Sequence, residues 1–111
     1  MGGPKALVVM TTVPDDAVAE RIARALVDEG LAGCVQRIPM RSTYTWQGGV
    51  EDAAEVLLLV KTVPASWGAL ERRIVELSPY EVPEVIALDV ARVAPAYAAW
   101  LGAACKTSSR R

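Results

Sequence analysis

The chain has 111 residues, of which 52% are apolar and 23% charged. A chain of this length and composition can bury a hydrophobic core, and it is too apolar to be a disordered segment. Its 12 basic and 13 acidic residues leave a net charge of −1, which disfavours nucleic acid as the main partner. Because it contains no histidine, the Ser-His and Cys-His catalytic pairs and the commonest metal ligand are excluded.

The cysteines and the apolar runs indicate the cellular compartment. Cys34 and Cys105 are too few and too far apart for the disulfide framework of a small secreted domain. The N-terminal residues do not resemble a signal peptide, and apolar runs such as residues 56–60 are far too short to span a bilayer. We therefore expect a cytoplasmic protein with no membrane partner.

The chain begins with a predicted strand and helix. Residues 6–10 are apolar and β-branched, as in a strand buried on both faces. Pro14 and the two aspartates after it suit the first turn of a helix, and Gly30 suits its end. This pattern predicts a helix over residues 16–29.

A long hairpin is predicted next. Residues 32–46 and 50–62 are β-like and flank the turn-forming sequence Gln-Gly-Gly at residues 47–49. Pro39 interrupts the first of these strands and indicates a bulge or a position on the sheet edge.

The last part of the chain supplies a second helix, a strand and a closing helix. Pro64 opens the second helix, whose apolar residues recur at spacings of three and four. Residues 85–90 are predicted as the last strand and residues 95–103 as the closing helix. We expect one domain over residues 1–111, with an ordered core at about residues 5–104 and a polar tail at residues 105–111.

The order of these elements predicts an α+β fold. A β-α-β-β-α-β order is typical of a ferredoxin-like split βαβ sandwich, with two helices on one face of an antiparallel sheet. Since the predicted strands are apolar on both faces, the second face must also be covered. The long hairpin would project from the body, so we expect a second copy of the chain to cover both features. The alternative is a hairpin that folds back over its own sheet.

Several short motifs occur in a specific order along the chain. The most specific are Tyr-x-Trp-x-Gly at residues 44–48, Lys-Thr at 61–62 and Pro-Tyr-x-x-Pro-Glu at 79–84. Weaker motifs accompany them: Thr-x-Pro at 12–14, Leu-Ala-Gly-Cys-Val at 31–35, and Tyr97 with Trp100-Leu101. Together they resemble the CutA family of divalent-cation tolerance proteins, and the resemblance extends over about residues 6–101.

This resemblance implies a ferredoxin-like protomer in a very stable homotrimer, with hairpins wrapped onto neighbouring subunits and grooves between subunits. It also implies a cytoplasmic, non-enzymatic protein involved in the response to copper and other divalent metal ions. The family trimer is similar to the P-II nitrogen-signalling proteins. A second function therefore stays open, a sensor that binds a small anionic metabolite in the grooves.

The chain departs from the family at the positions associated with copper. Members thought to bind copper carry a Cys just before Thr-x-Pro and one or two His just before Pro-Tyr. Here these positions are Thr11, Leu77 and Ser78. We therefore predict no metal site of that kind and no certain cofactor, and we expect a divalent metal ion or copper to bind only weakly.

Four residues are candidates for an intersubunit ligand groove: Cys34, Lys61, Tyr80 and Glu84. Cys34 is either a soft ligand or a small buried hydrophobe. Lys61 ends an apolar strand, where a charge needs a partner, and Glu84 is the candidate partner. The pair is either part of a groove that also contains Tyr80 or a structural ion pair that fixes the turn.

The aromatic residues are assigned mainly to packing. Tyr44 and Trp46 alternate onto one face near the hairpin tip and are expected to make trimer contacts rather than to stack a ligand. Tyr97 and Trp100 are expected in the core, together with Trp67. Cys105, near the end of the last helix, is expected to be open to oxidation.

Two other functions that this fold can carry are disfavoured. An acylphosphatase-like enzyme needs an Arg-bearing phosphate cradle after the first strand, and that turn is Thr-Thr-Val-Pro at residues 11–14. An RNA-binding module needs aromatic residues on the central strands, where Val8 and Leu58 stand instead.

Overall fold

A computed structural model of the chain describes residues 3–105. The strands are β1 (Leu7–Val13), β2 (Cys34–Trp46), β3 (Gly49–Thr62) and β4 (Ile86–Asp89). The helices are α1 (Asp16–Asp28), α2 (Trp67–Leu77) and α3 (Pro95–Ala104), and a 3₁₀ turn at Pro64–Ser66 precedes α2. Of the polar tail expected at residues 105–111, Cys105 is buried at the end of the fold, and residues 106–111 lie outside the described residues.

The four strands form one antiparallel sheet in the order β2-β3-β1-β4. This arrangement, with α1 and α2 packed on one face, confirms the α+β, ferredoxin-like prediction. The first strand is longer than predicted, because Thr11, Thr12 and Val13 also pair with β3. The last strand is shorter than predicted, because only four residues of β4 pair with β1.

Local sequence explains where α1 begins and how the hairpin turns. The side chain of Asp15 accepts a hydrogen bond from the backbone N–H of Val18 at 2.9 Å, which caps the helix. Gln47 and Gly48 both have positive φ angles, 51° and 81°, as a two-residue type I′ hairpin turn requires. Pro39 pairs with Val56 in an unbroken register, so it lies on the edge strand and forms no bulge.

The core lies between the sheet and the first two helices. Alternate residues of β1 and β3 point into it, among them the fully enclosed Val9, Leu58 and Val60. Ile22 and Leu26 from α1 and Leu70 and Ile74 from α2 complete it. A smaller cluster of Ala6, Leu101 and Cys105 fixes α3 against the end of the sheet.

The opposite face of the sheet carries apolar side chains that lie outside the two core clusters of the described residues. We call this the open face; the strand registers place on it Val8, Met10, Ile38, Leu57, Leu59, Ile86 and Leu88. Ile38, Ile86 and Leu88 are 41%, 47% and 49% exposed. The expectation that both faces of the sheet are apolar is confirmed.

The distal part of the hairpin is a free two-stranded arm. The pairing of β3 with β1 ends, toward the hairpin tip, at Val56. From there to the tip, seven consecutive residue pairs join only β2 and β3, from Met40 with Glu55 to Trp46 with Gly49. The chain extends over 44 Å, and its radius of gyration of 14.7 Å exceeds the roughly 13 Å of a compact chain this long. The arm does not fold back over its own sheet, so that alternative is wrong.

Candidate functional site

One end of the open face carries Cys34 and Lys61. They are directly paired on β2 and β3, and therefore present their side chains on the same face. The ammonium of Lys61 donates a hydrogen bond to the side-chain oxygen of Gln36 at 2.8 Å. Cys34 is half-buried, so its thiol is neither fully enclosed nor fully open. A small anion could reach the ammonium here.

Two aromatic residues of α3 lie beside this end. The rings of Tyr97 and Trp100 are 5.4 Å apart, and an added Cβ at Gly33 would lie within 3.2 Å of Trp100. Burial is the main cause that raises the pKa of Tyr97, and the electrostatic interaction with Cys34 raises it further. The prediction that Tyr97 and Trp100 are core residues is wrong, because their exposed fractions are 38% and 49%.

The opposite end of the open face carries Tyr80 and Glu55. The phenol of Tyr80 donates a hydrogen bond of 2.5 Å to the carboxylate of Glu55. Glu55 is only 9% exposed and is the β3 residue at the base of the arm, next to the body of the sheet. Burial raises the pKa of the Tyr80 phenol, and the Glu55 carboxylate raises it further. The bond joins the base of the arm to the connection between α2 and β4.

The four predicted groove residues therefore separate into two groups within one chain. Lys61 pairs with Val8, whereas Glu84 lies just before Ile86, which pairs with Met10. No hydrogen bond or ion pair joins Lys61 to Glu84 within residues 3–105. A structural ion pair inside one chain is therefore wrong. The groove between subunits that Lys61, Tyr80 and Glu84 are expected to line stays a prediction.

Sequence reasoning missed Glu55 and Gln36. Glu55 lies two and four positions before Leu57 and Leu59, which places its side chain on the open face. The sequence could have shown this, because a carboxylate that alternates with Leu57 and Leu59 along a strand must lie on the same face as they do. Nothing local in the sequence shows that Gln36 would face Lys61, because that contact depends on the register of two strands.

The arm places its two aromatic side chains in the open. Tyr44 and Trp46 are 41% and 39% exposed, and the structure shows them on the same side of β2. Their role as trimer contacts stays a prediction. Glu51 and Asp52, next to them on β3, are exposed, and Thr43 donates a hydrogen bond to Asp52.

The residues at the family's copper-associated positions do not form a ligand set. Thr11 is fully buried in the core, and its hydroxyl has no hydrogen-bond partner among the described residues. Leu77 packs against the core, and the hydroxyl of Ser78 accepts a bond from the backbone N–H of Tyr80. Within residues 3–105, no three His, Cys, Asp or Glu side chains are grouped closely enough to hold a metal ion.

Cys105 is a core residue, so the expectation that it is open to oxidation is wrong. It is 6% exposed and caps the end of α3. Its sulfur lies 3.7 Å from the hydroxyl oxygen of Thr62. The closing helix is therefore anchored through its last turn.

The fold and these two groups define a class of protein: a split βαβ protomer with a free arm and an uncovered apolar sheet face. A sequence model of the CutA1 divalent ion tolerance protein family matches residues 7–104. The chain belongs to this family. The match includes every strand and helix described above.

Individual relatives agree with this assignment. The divalent-cation tolerance protein CutA of Thermus thermophilus is 47% identical over 95 residues, which cover 85% of this chain and 92% of that protein. The crystal structure of CutA from Xylella fastidiosa superimposes with a TM-score of 0.89 at 39% identity, covering 91% of this chain and 98% of that one.

Other relatives are longer than this chain. The CutA homolog of Xenopus laevis is 45% identical over 92 residues, which are 82% of this chain but 61% of the Xenopus protein. No helix within residues 3–105 has the length and apolar character needed to cross a membrane.

Proposed function

We propose that the chain works as a homotrimer, without catalytic activity of its own, in the cytoplasmic response to divalent metal ions. The observation that carries this proposal is the pair of features that one copy leaves uncovered. The open face exposes a row of branched apolar side chains, and the arm is a two-stranded ribbon that is marginal in water by itself. A second and third copy would cover both.

The proposed response to metal ions does not depend on a high-affinity metal site within one protomer. Thr11, Leu77 and Ser78 offer no thiolate or imidazole, and among the described residues Cys34 belongs to no group of three His, Cys, Asp or Glu side chains. Copper and other divalent ions would therefore bind weakly. The protein's contribution to tolerance would depend on its assembled form and on contacts made by that assembly.

Complementation tests this function. The gene is expressed in a bacterium that lacks its own family member, and growth is measured in a series of copper and zinc concentrations. Leu88→Asp places a charge on the open face, and Val75→Asp places one on the outer surface of α2. The two residues are 49% and 48% exposed in one copy.

The wild-type chain and Val75→Asp should restore growth, and Leu88→Asp should not. A wild-type chain that restores nothing would reject the function in metal tolerance. Equal restoration by Leu88→Asp would show that tolerance does not need the open face.

A second candidate function is a trimeric sensor, similar to the P-II proteins, that binds a small anionic metabolite between subunits. Lys61 favours the sensor function, because its ammonium donates a hydrogen bond to the neutral amide of Gln36 and its charge is therefore available to an anion. Mass spectrometry of untagged protein under native conditions would detect an anion that copurifies. The sensor proposal expects this anion to disappear in Lys61→Met and to stay in Lys5→Met, which changes an exposed lysine elsewhere.

A further inference from the structure

The starting observation is a carboxylate without a counter-charge. Glu55 is 9% exposed, and within the described residues its recorded partner is the phenol of Tyr80, which is a neutral donor. A buried carboxylate is costly unless a positive charge compensates it. The described ion pairs of the chain are those of Arg73 with Glu29 and Glu76, on the helical side.

The complementary observation is a cation at the other end of the same face. Lys61 and Glu55 both lie on β3. They are spaced from Leu57 and Leu59 by even numbers of residues, so all four side chains project from the open face. The partner recorded for the ammonium is again neutral, the amide oxygen of Gln36. The other β1, β2 and β4 residues of this face are uncharged.

These two charges cannot meet within one chain. Glu55 and Lys61 are six positions apart along a single strand, which corresponds to about 20 Å. A surface with a cation at one end and an anion at the other is complementary to a second copy shifted along it. Head-to-tail contact of this kind closes into a ring when the rotation between copies allows it.

We propose that Lys61 of one copy forms an ion pair with Glu55 of the next copy, where Tyr80 positions the Glu55 carboxylate. The pair lies at the edge of the apolar contact between open faces and sets the register of that contact. The inference rests on the proposed trimer and deepens it, because each pair needs one residue from each of two copies. It assigns Lys61 to a protein carboxylate instead of a free anion.

Neutral substitutions test the pair. Glu55→Gln keeps an oxygen that can accept from Tyr80 and removes the charge, and Lys61→Met removes the ammonium. Sedimentation of a dilution series gives the protein concentration at which each trimer is half dissociated. Each substitution should raise this concentration at least about tenfold, and the double variant should be no weaker than the weaker single variant.

Matched controls remove the same charges from positions outside the pair. Glu71→Gln removes the charge of an exposed glutamate on α2, and Lys5→Met removes that of an exposed lysine before β1. Both should dissociate at the wild-type concentration. Tyr80→Phe removes the hydrogen bond and leaves both charges, so its effect should be smaller than that of Glu55→Gln.

Charge reversal gives the sharpest result. Glu55→Lys and Lys61→Glu should each prevent assembly, and the variant that carries both should assemble again, since the exchanged charges still pair between copies. Circular dichroism identifies any variant that does not fold, and the neutral variants then decide the question.

The ion pair would be overturned, and the proposed trimer would stand, if the wild type is trimeric and the neutral variants dissociate at the same concentration as the controls. The same conclusion would follow if the double variant raised the dissociation concentration by the product of the two single effects. A wild type that is monomeric at every concentration would overturn both.

Discussion

The hydroxyl of Thr62 connects the end of α3 to the loop after α1 through two hydrogen bonds. It lies 2.7 Å from the carbonyl oxygen of Leu31 and 3.7 Å from the sulfur of Cys105. Because its single proton is donated to Leu31, the thiol of Cys105 must be the donor in the second bond. The contact therefore needs a protonated, unmodified thiol at Cys105.

Substitution by valine should destabilise the protein at one of two buried threonines on neighbouring strands and not at the other. Thr62 and Thr11 are both fully buried, but the Thr11 hydroxyl has no partner among the described residues. Thr62→Val leaves the Leu31 carbonyl unsatisfied and should lower the free energy of unfolding by about 1–3 kcal/mol. Thr11→Val removes an unsatisfied hydroxyl and should leave it unchanged or raise it by about 1 kcal/mol. Urea unfolding of the two variants measures both effects, and a loss of similar size in both would contradict this account.

The phenol of Tyr80 should make the protein less stable in alkaline solution. Burial and the Glu55 carboxylate raise its pKa in the folded state above the unfolded value of about 10. The folded state then holds a proton that the unfolded state has released. The stabilisation is therefore complete below about pH 10 and is lost as the pH rises toward the folded-state pKa.

Tyr80→Phe should remove this contribution, so that the variant loses less stability than the wild type between about pH 10 and pH 12. Thermal unfolding at a series of pH values measures the slopes. A Tyr80→Phe curve parallel to the wild type would show that the folded state does not retain this proton.

Copper(II) should bind no better than it does to an ordinary acidic surface. The chain has no histidine, and the described residues contain no group of three metal-ligating side chains. Cu(II) prefers nitrogen donors, which the positions of Thr11, Leu77 and Ser78 do not supply. Titration in a competing buffer measures the affinity, and a stoichiometric, submicromolar site would refute this prediction.

Shortening the arm should weaken the assembly more than it weakens the protomer. Replacing residues 42–51 with a two-residue turn removes Tyr44 and Trp46 and leaves the core between the sheet and the helices intact. The truncated chain should shift toward the mass of one copy and unfold at a much lower temperature. A truncated protein that stays trimeric and equally heat-resistant would show that the arm does not hold the copies together.

The fold could be predicted because its signals are local. Strand and helix periods, prolines at helix starts and the Gln-Gly pair at the turn each depend on a few neighbouring residues. The sequence predicts a β1 that is too short, because Thr11 and Thr12 are strand residues only through their pairing with β3. The ends of strands depend on partners that a local pattern does not show.

The site could be predicted only in part, for the same reason. Cys34 and Lys61 are 27 positions apart in sequence and adjacent only through the register of the hairpin. The sequence predicts Tyr97 and Trp100 in the core because α3 is apolar all around, and this pattern does not show which side of the helix packs. The contact between Tyr80 and Glu55 joins a loop to a strand 25 positions away.

Sedimentation of the wild-type protein beside Leu88→Asp and Val75→Asp tests the central claim most directly. The two substituted residues are equally exposed in one copy, and only Leu88 lies on the open face. The account predicts that the wild type and Val75→Asp sediment at three times the mass of the chain, and that Leu88→Asp sediments at the mass of one copy. A wild type that stays monomeric at micromolar concentration, or a Leu88→Asp variant that is as fully trimeric as Val75→Asp, would contradict it.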